Sequence, residues 1–232
     1  MRSDWNIICD FDGTVSIGDV TDRLLQALGE PGWEALEQDW NEGRIGSREC
    51  MTGQVALLGG DRDALDVVLD SVGIDPYFEQ FARTAQRLRM PLTIVSDGLD
   101  YSIARILQRC GLESLPVAAN HLVRTETHRW RMTSPHAAPN CGSGTCKCAY
   151  ATAWGGRSTL LVGDGRSDFC VAERADFVFA KDRLLEHCCN HGIAHRPMRD
   201  FAEATLLLHA LAEGRLHDAP ASFIEPLSIQ YV

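Results

Sequence analysis

At 232 residues, 45% of them hydrophobic, the chain can bury one sizeable core or a core with a small insert. Its formal net charge of −10 excludes extended contact with nucleic acid, which rests on cationic patches that neutralise phosphates. No apolar run approaches the length of a membrane span and the N-terminus has no signal-peptide pattern, so the expected setting is cytoplasmic, with the nine cysteines as reduced thiols.

Taken in chain order, the first predicted strand covers residues 5–11, a short apolar run of the kind buried on both faces of a parallel sheet. It ends in Asp10-Phe11-Asp12-Gly13-Thr14. Residues 18–88 contain no convincing strand. Helical periodicity marks 20–28, 33–40, 47–58, 62–72 and 76–88, with Asp75-Pro76 read as an N-cap followed by proline at the first helical position and Gly59-Gly60 and Gly73 as stops. Apolar runs return at 91–95, 115–123, 158–162 and 177–180, separated by helical patterns at 100–110 and 167–174. A further helix is expected to start at Lys147 and run to Trp154. Alternating strands and helices indicate a doubly wound parallel α/β sheet. The predicted organisation is an α/β core of residues 1–17 and 89–232, with an all-helical cap of residues 18–88 inserted after the first strand. The segment 222–232 is read as covering a sheet edge or meeting a partner subunit, a homodimer being among the expected partners.

Polar residues stand at the ends of three predicted strands, where open parallel sheets build their sites. Asp10 and Asp12 follow the first, Ser96, Asp97 and Gly98 the second, and Gly163, Asp164, Gly165 and Asp168 the fourth, with Lys147 between. Carboxylates converging at one point repel one another and raise each other's pKa, which a hard divalent cation relieves. Oxygen ligands without histidine favour Mg²⁺, which also takes a phosphate oxygen. A lysine and a hydroxyl then remain as donors to the phosphate, and the glycines let backbone N–H groups approach it.

These residues resemble the four motifs of the haloacid dehalogenase superfamily. Asp10-Phe11-Asp12-Gly13-Thr14 resembles the first, Ser96 the second, Lys147 the third, and Gly163-Asp164-Gly165-Arg166-Ser167-Asp168 the fourth. The helical insert sits where the phosphoserine-phosphatase-like branch has its cap. The resemblance implies a Mg²⁺-dependent hydrolase of small phosphorylated metabolites. Asp10 would be the nucleophile and Asp12 the acid and base, its backbone carbonyl a metal ligand. Thr14 would support the loop. Ser96, with backbone N–H groups near Asp97 and Gly98, would hold the phosphate. Lys147 would pair with Asp10 and the phosphate, and Asp10, Asp12, Asp164 and Asp168 would form the metal site. Ile94-Val95-Ser96-Asp97-Gly98 and Cys146-Lys147-Cys148 resemble the MtnX-like phosphatases of methionine salvage, which implies 2-hydroxy-3-keto-5-methylthiopentenyl-1-phosphate as substrate. Phosphoserine phosphatases typically have Glu where this chain has Asp19 and Gly where it has Asp97, which counts against phosphoserine. Phosphocholine and phosphoethanolamine phosphatases are also similar here. Phosphonate cleavage, a rival chemistry of the superfamily, typically needs a cap lysine, and residues 18–88 contain none. A non-catalytic module of the same fold is the second rival, against which the intact acidic residues and Lys147 stand.

Each singled-out residue has an ordinary reading beside the functional one. Asp-Gly is a common turn pair, Ser96 can cap a turn, and Asp168 can favour a helix dipole. Cys141, Cys146 and Cys148, with His136, offer zinc ligands at irregular spacing, inert thiols, or redox-sensitive thiols activated by Lys147. Cys9 and Cys170 lie in apolar strand or helix patterns and read as small hydrophobes, and Cys188 and Cys189 read as packing residues. Trp33 and Trp40 fit one helical face of the cap core or line the pocket. Asp19, Asp22 and Arg48 read as solvated surface or specificity residues, His187 and His191 as a surface pair, and Lys181 and Arg157 as weaker site candidates.

Overall fold

The structure is a computed structural model and describes residues 5–153 and 156–216. Its strands are β1 (Trp5–Cys9), β2 (Leu92–Leu99), β3 (Val117–Arg124), β4 (Trp130–Thr133), β5 (Ser158–Gly163), β6 (Phe177–Ala180) and β7 (His195–Pro197). They form one sheet in the order β4-β3-β2-β1-β5-β6-β7. All neighbours are parallel except β3 and β4. β1 is central and every one of its residues is buried. Successive side chains of a strand point to opposite faces, so Ile7, Cys9, Ile94, Leu160 and Val162 enter one core while Ile8, Val95, Leu161 and Val178 enter the other. Both faces are therefore covered, as a parallel sheet requires, and the fold is a doubly wound α/β sheet.

The helices are α1 (Val20–Leu28), α2 (Trp33–Asn41), α3 (Ser47–Ala56), α4 (Arg62–Asp70), α5 (Phe78–Arg87), α6 (Asp100–Arg109), α7 (Lys147–Thr152), α8 (Phe169–Ala172), α9 (Asp182–His191) and α10 (Phe201–Ala212). Asp19, Asp61 and Asp200 cap α1, α4 and α10 by accepting from the backbone N–H three residues on, which satisfies donors that a helix start leaves free. Within 18–88, α1 packs on α4 and α2 on α3. Contacts to the rest of the chain run from α1 to β2, from α3 to β4, from α4 to α6, and from α5 to α10 and β2.

Several sequence expectations shift. Asp75 does not cap a helix at Pro76. Its Oδ1 accepts from Tyr77 N at 2.9 Å and its Oδ2 from Phe201 N at 3.1 Å, so its carboxylate makes a turn and ties down α10, and α5 starts at Phe78. The helix expected over 167–174 divides into a 3-10 turn (Arg166–Asp168) and the short α8. Cys170, read as a small hydrophobe, is exposed. β4, β7, α9 and α10 carry no expectation from the sequence. The segment 222–232 and Trp154 lie outside the described residues, among which no helix is long and apolar enough to cross a membrane.

The carboxyl ends of β1, β2 and β5 lie side by side at the centre of the sheet. β2 departs from regular register against β3 between Val95 and Leu99. Such an irregularity re-aims side chains, and here it falls on Ser96, Asp97 and Gly98. On one face of the sheet Phe201 of α10 is fully buried, edge-on to Phe78 of α5 at 4.8 Å and tilted against Phe81 at 5.0 Å. Phe201→Ala is expected to destabilise the fold by about 3–5 kcal/mol, a fall in Tm on the order of 10 °C, read by chemical and thermal denaturation.

Candidate active site

Lys147 is the first residue of α7 and its side chain is 2% exposed. Its ammonium lies 2.9 Å from Asp10 Oδ1 and 2.6 Å from Asp168 Oδ1, and donates to Ser167 Oγ at 3.1 Å. Burial alone would lower the pKa of this lysine, but Asp10 and Asp168 outweigh it and hold the group charged, above the ordinary lysine range. Asp10 Oδ1 also accepts from Phe11 N at 2.8 Å, while Oδ2 has a 3.4 Å contact from Ser167 Oγ.

Asp12 stands beside this pair. Its Oδ1 accepts from Val20 N at 2.9 Å, and its Oδ2 is 3.4 Å from the Ser96 hydroxyl, which in turn accepts from Gly98 N at 2.9 Å. Burial first, and then Asp19, raise the Asp12 carboxyl well above the usual carboxylate range. A side chain at Gly98 would not fit: a Cβ there would lie 2.4 Å from Asp12 Oδ2.

On the other side of Asp10 is Asp164, whose Oδ1 accepts from Thr14 Oγ1 at 2.6 Å. Burial and Asp10 push its pKa up to about 6. Gly13 allows this approach, with φ 71° and space for a Cβ only at 2.5 Å from Asp164 Oδ2. Lys181 Nζ donates to the Gly13 carbonyl at 3.1 Å, which gives that residue a place at the rim of the site. Asp168 is fully buried; its Oδ2 lies 3.3 Å from the amides of both Asp164 and Gly165. Burial and Asp10 raise its pKa, with Lys147 opposing.

Carboxylate oxygens of Asp10, Asp164 and Asp168 all lie within 4.8 Å of one another, the one group of this kind among the described residues. An all-oxygen donor set of this sort suits a hard divalent cation. The Asp12 side chain is outside the group, directed to Val20 and Ser96. Asp168 is the most deeply buried of the three, with Lys147 on one oxygen and two backbone amides on the other.

A cavity of about 130 Å³ opens over Asp10, Asp12, Ser96 and Asp164. Its far wall comes from α1, α2 and α3, with Asp19, Asp22, Glu37, Trp40 and Met51 facing the same space. Trp40 is thus a pocket residue, whereas Trp33 packs partly buried against the core. Arg48 does not enter the cavity lining; it donates to the Cys141 carbonyl. Asp97 turns its carboxylate to Thr145 N at 2.7 Å and to the Ser47 hydroxyl.

Lys147, flanked in sequence by Cys146 and Cys148, directs its ammonium to Asp10 and Asp168. Burial and Cys170 push Cys148 up to about 12, and burial raises Cys146. Cys148 Sγ lies 3.5 Å from Cys170 Sγ. His136 accepts or donates through Nδ1 to Tyr150 at 3.0 Å. Sequence reasoning missed Ser167, although it stands inside the fourth motif. It also missed Arg166, which donates to the carbonyls of Trp40 and Asn41. Glu37 and Gln54 were missed too: a pair joined at 3.0 Å on the cavity wall that carries no local sequence signal.

The family model described as haloacid dehalogenase-like hydrolase matches residues 7–173. The 2-hydroxy-3-keto-5-methylthiopentenyl-1-phosphate phosphatase of Geobacillus kaustophilus is 30% identical over 203 residues, covering 84% of this chain and 91% of the relative. The enzyme of the same name from Bacillus pumilus is 28% identical, covering 85% and 87%. Among solved structures, a HAD family hydrolase from Salmonella enterica serovar Typhi superimposes with a TM-score of 0.69 at 20% identity, covering 90% of this chain and 71% of that one. A phosphoserine phosphatase, solved as a phospho-aspartyl intermediate analogue, superimposes with 0.67 at 18% identity, covering 89% and 99%. With the sheet, the motif positions and the relatives in agreement, the chain belongs to the haloacid dehalogenase-like hydrolases and is a phosphatase among them.

Proposed function

We propose that this protein is a Mg²⁺-dependent phosphomonoesterase that hydrolyses a small phosphorylated metabolite through an aspartyl-phosphate on Asp10. The observation that carries this reading is the Lys147 ammonium seated between Asp10 and Asp168, beneath a cavity lined by Asp10, Asp12 and Ser96. Asp10, Asp164 and the Asp12 carbonyl would hold the cation, with Asp168 reaching it directly or through water. Bound there, Mg²⁺ supplies positive charge that offsets the carboxylates and the phosphoryl oxygens. Asp10 attacks phosphorus while the bond from phosphorus to the leaving oxygen breaks, and the protonated Asp12 carboxyl gives its proton to that oxygen. Asp12, now a carboxylate, takes a proton from the water that attacks the aspartyl-phosphate, and inorganic phosphate leaves. The raised Asp12 pKa keeps the acid form available toward neutral pH. Lys147 and the Ser96 hydroxyl stabilise the phosphoryl oxygens, helped by N–H groups near Asp97 and Gly98. Thr14 fixes Asp164 through its hydroxyl.

The helical segment 18–88 acts as the cap in this reading, since α2 and α3 bear much of the wall opposite the strand ends. Its closure excludes bulk water and sets the leaving group. The named relatives and the Trp40 and Met51 walls favour a methylthio-substituted keto-enol phosphate, 2-hydroxy-3-keto-5-methylthiopentenyl-1-phosphate. A second reading draws on Asp19, Asp22 and Glu37 in the same cavity: three carboxylates suit an ammonium, as in phosphoserine, phosphoethanolamine or phosphocholine. The setting that goes with either is cytosolic, where nine free thiols stay reduced.

A panel of these phosphomonoesters, assayed for phosphate release with Mg²⁺, decides the substrate. The methylthio compound is expected to give the highest kcat/KM, and a preference for an ammonium ester would select the second reading. Chelation is expected to abolish turnover and Mg²⁺ to restore it. Asp10→Asn is expected to lower kcat by roughly a thousandfold or more and to leave no acid-stable phosphoenzyme. Normal hydrolysis by that variant would remove Asp10 as the nucleophile.

The raised carboxyl pKa values also set a pH dependence of stability. Folded Asp164, at about 6, binds its proton more tightly than an unfolded carboxyl does, and Asp12 and Asp168 shift the same way. Their contribution to stability is therefore complete below the ordinary carboxylate range and lost as the pH rises through the folded values. For metal-free protein, Tm is expected to fall on the order of 5 °C or more between about pH 4 and about pH 7.5. The fall should be smaller in Asp164→Asn, and Mg²⁺ should raise Tm more at about pH 7.5 than at about pH 5.

A further inference from the structure

Asp97 is placed to do more than lend a backbone amide to the phosphate site. Its carboxylate joins two segments that are far from it in sequence. Oδ1 accepts from Thr145 N at 2.7 Å, in the loop that enters α7, and Oδ2 accepts from the hydroxyl of Ser47, the first residue of α3. Its carbonyl accepts from Asn120 Nδ2 at 2.6 Å, and Asn120 Oδ1 accepts from Ser134 Oγ at 2.7 Å. Gly144 lies so close to Asn120 that a Cβ there would be 2.3 Å from Oδ1. The loop 134–146 is thus pinned from both ends of the Asp97–Asn120 pair.

The start of α3 rests on the same loop. Arg48 N donates to the Gly142 carbonyl at 3.0 Å, its guanidinium donates to the Cys141 carbonyl, and a Cβ on Gly46 would lie 2.6 Å from Gly142 O. Two residues beyond Thr145 comes Lys147, whose ammonium must arrive between Asp10 and Asp168. In the other direction α3 supplies Ser47, Cys50, Met51 and Gln54 to the wall of the cavity. One carboxylate therefore holds the wall over the substrate and the loop that delivers the lysine.

We propose that Asp97 is a positioning residue that couples the seating of α3 to the placement of Lys147, so that a closed wall and a correctly set lysine are one state. The inference rests on the phosphatase reading for its consequence in catalysis, and on the hydrogen bonds alone for the coupling itself. Both Asp97 oxygens already accept from protein donors, so the carboxylate acts through Thr145 and Ser47. Asparagine at this position keeps an acceptor for Thr145 N and offers an N–H to the Ser47 oxygen, whereas alanine keeps neither.

The test compares Asp97→Ala, Asp97→Asn, Ser47→Ala and the double variant Ser47→Ala/Asp97→Ala in the full chain with Mg²⁺. Amide hydrogen exchange at Thr145 is followed beside kcat and KM for p-nitrophenyl phosphate. Asp97→Ala is expected to speed Thr145 exchange by about tenfold or more and to lower kcat on the order of tenfold to a hundredfold, the scale of a small misplacement of a reacting group. Asp97→Asn is expected to recover most of both. Ser47→Ala is expected to raise KM by roughly threefold or more and to speed Thr145 exchange although it does not touch Thr145, and to add little to Asp97→Ala, as two members of one network do. Unchanged Thr145 exchange in Asp97→Ala and in Ser47→Ala, or effects of the two substitutions that simply multiply, would overturn the coupling. If the wild-type protein hydrolyses neither this ester nor any phosphomonoester of the panel, the phosphatase reading is what fails, and the exchange measurements still decide the coupling. If Asp97→Ala does not fold, Ser47→Ala and Asp97→Asn carry the same decision.

Discussion

A single ammonium group, buried and charged, organises the centre of this molecule. Withdrawing a lysine from water costs several kcal/mol, and only close, well-directed carboxylates return it. Lys147 has two, Asp10 at 2.9 Å and Asp168 at 2.6 Å. They are far apart in the chain: Asp10 directly follows β1, and Asp168 closes the 3-10 turn after β5. The ion pair forms only when β1 and β5 are neighbours in register, with α7 laid across them. In return, the lysine lets carboxylates gather at one point. Asp164 and Asp12 extend the acidic set beyond what one lysine neutralises, an excess that a bound cation would offset.

Within that set, environment separates carboxylates of the same chemistry into different tasks. Asp10 accepts from the Lys147 ammonium and from Phe11 N, so its carboxylate is held in place by two donors. Asp12, two residues on, is directed away to Val20 and Ser96, and burial keeps its proton bound further toward neutral pH. A pair of acids with divergent environments is the usual way one site runs nucleophilic and proton-transfer chemistry together. The closeness this demands is steric as well as electrostatic. Gly13 and Gly98 stand where a Cβ would meet Asp164 and Asp12, so the backbone itself forms part of the wall around the reacting group.

Much of this was readable from the residues, because the strands that carry the site are buried on both faces and so write themselves as apolar runs ended by polar residues. Asp10, Ser96 and Asp164 follow such runs directly. β4, of four residues, and β7, of three, lie at the sheet's edges. β7 reads His195-Arg196-Pro197, with no apolar run at all. Asp75 misled because its Asp-Pro pair is a helix-start signal, while its second oxygen is drawn to Phe201, a partner 126 residues away. Ser47 and Asp97, 50 residues apart, show the same limit: each is an unremarkable polar residue until the fold brings them into contact.

The two sides of the cavity are held by different forces. Its floor is built on strand ends locked by backbone ladders and two apolar cores. The wall formed by α2 and the start of α3 contains few fully buried side chains; α2 has none. Beside the packing of Trp33 and Met51 on the core, its links to the floor are hydrogen bonds: Arg166 to the carbonyls of Trp40 and Asn41, Arg48 to Cys141, and Ser47 to Asp97. Polar links of this kind exchange readily with water, while apolar burial does not, so local opening is cheapest where burial is least. The wall is therefore the part able to part from the floor and admit a substrate. Arg166 sits in the fourth motif beside Ser167 and Asp168, and Asp97 follows Ser96 in the second. Two of the links that would break on opening are thus made by Arg166, beside Ser167 and Asp168, and by Asp97, beside Ser96, which ties the position of the wall to the geometry of the floor.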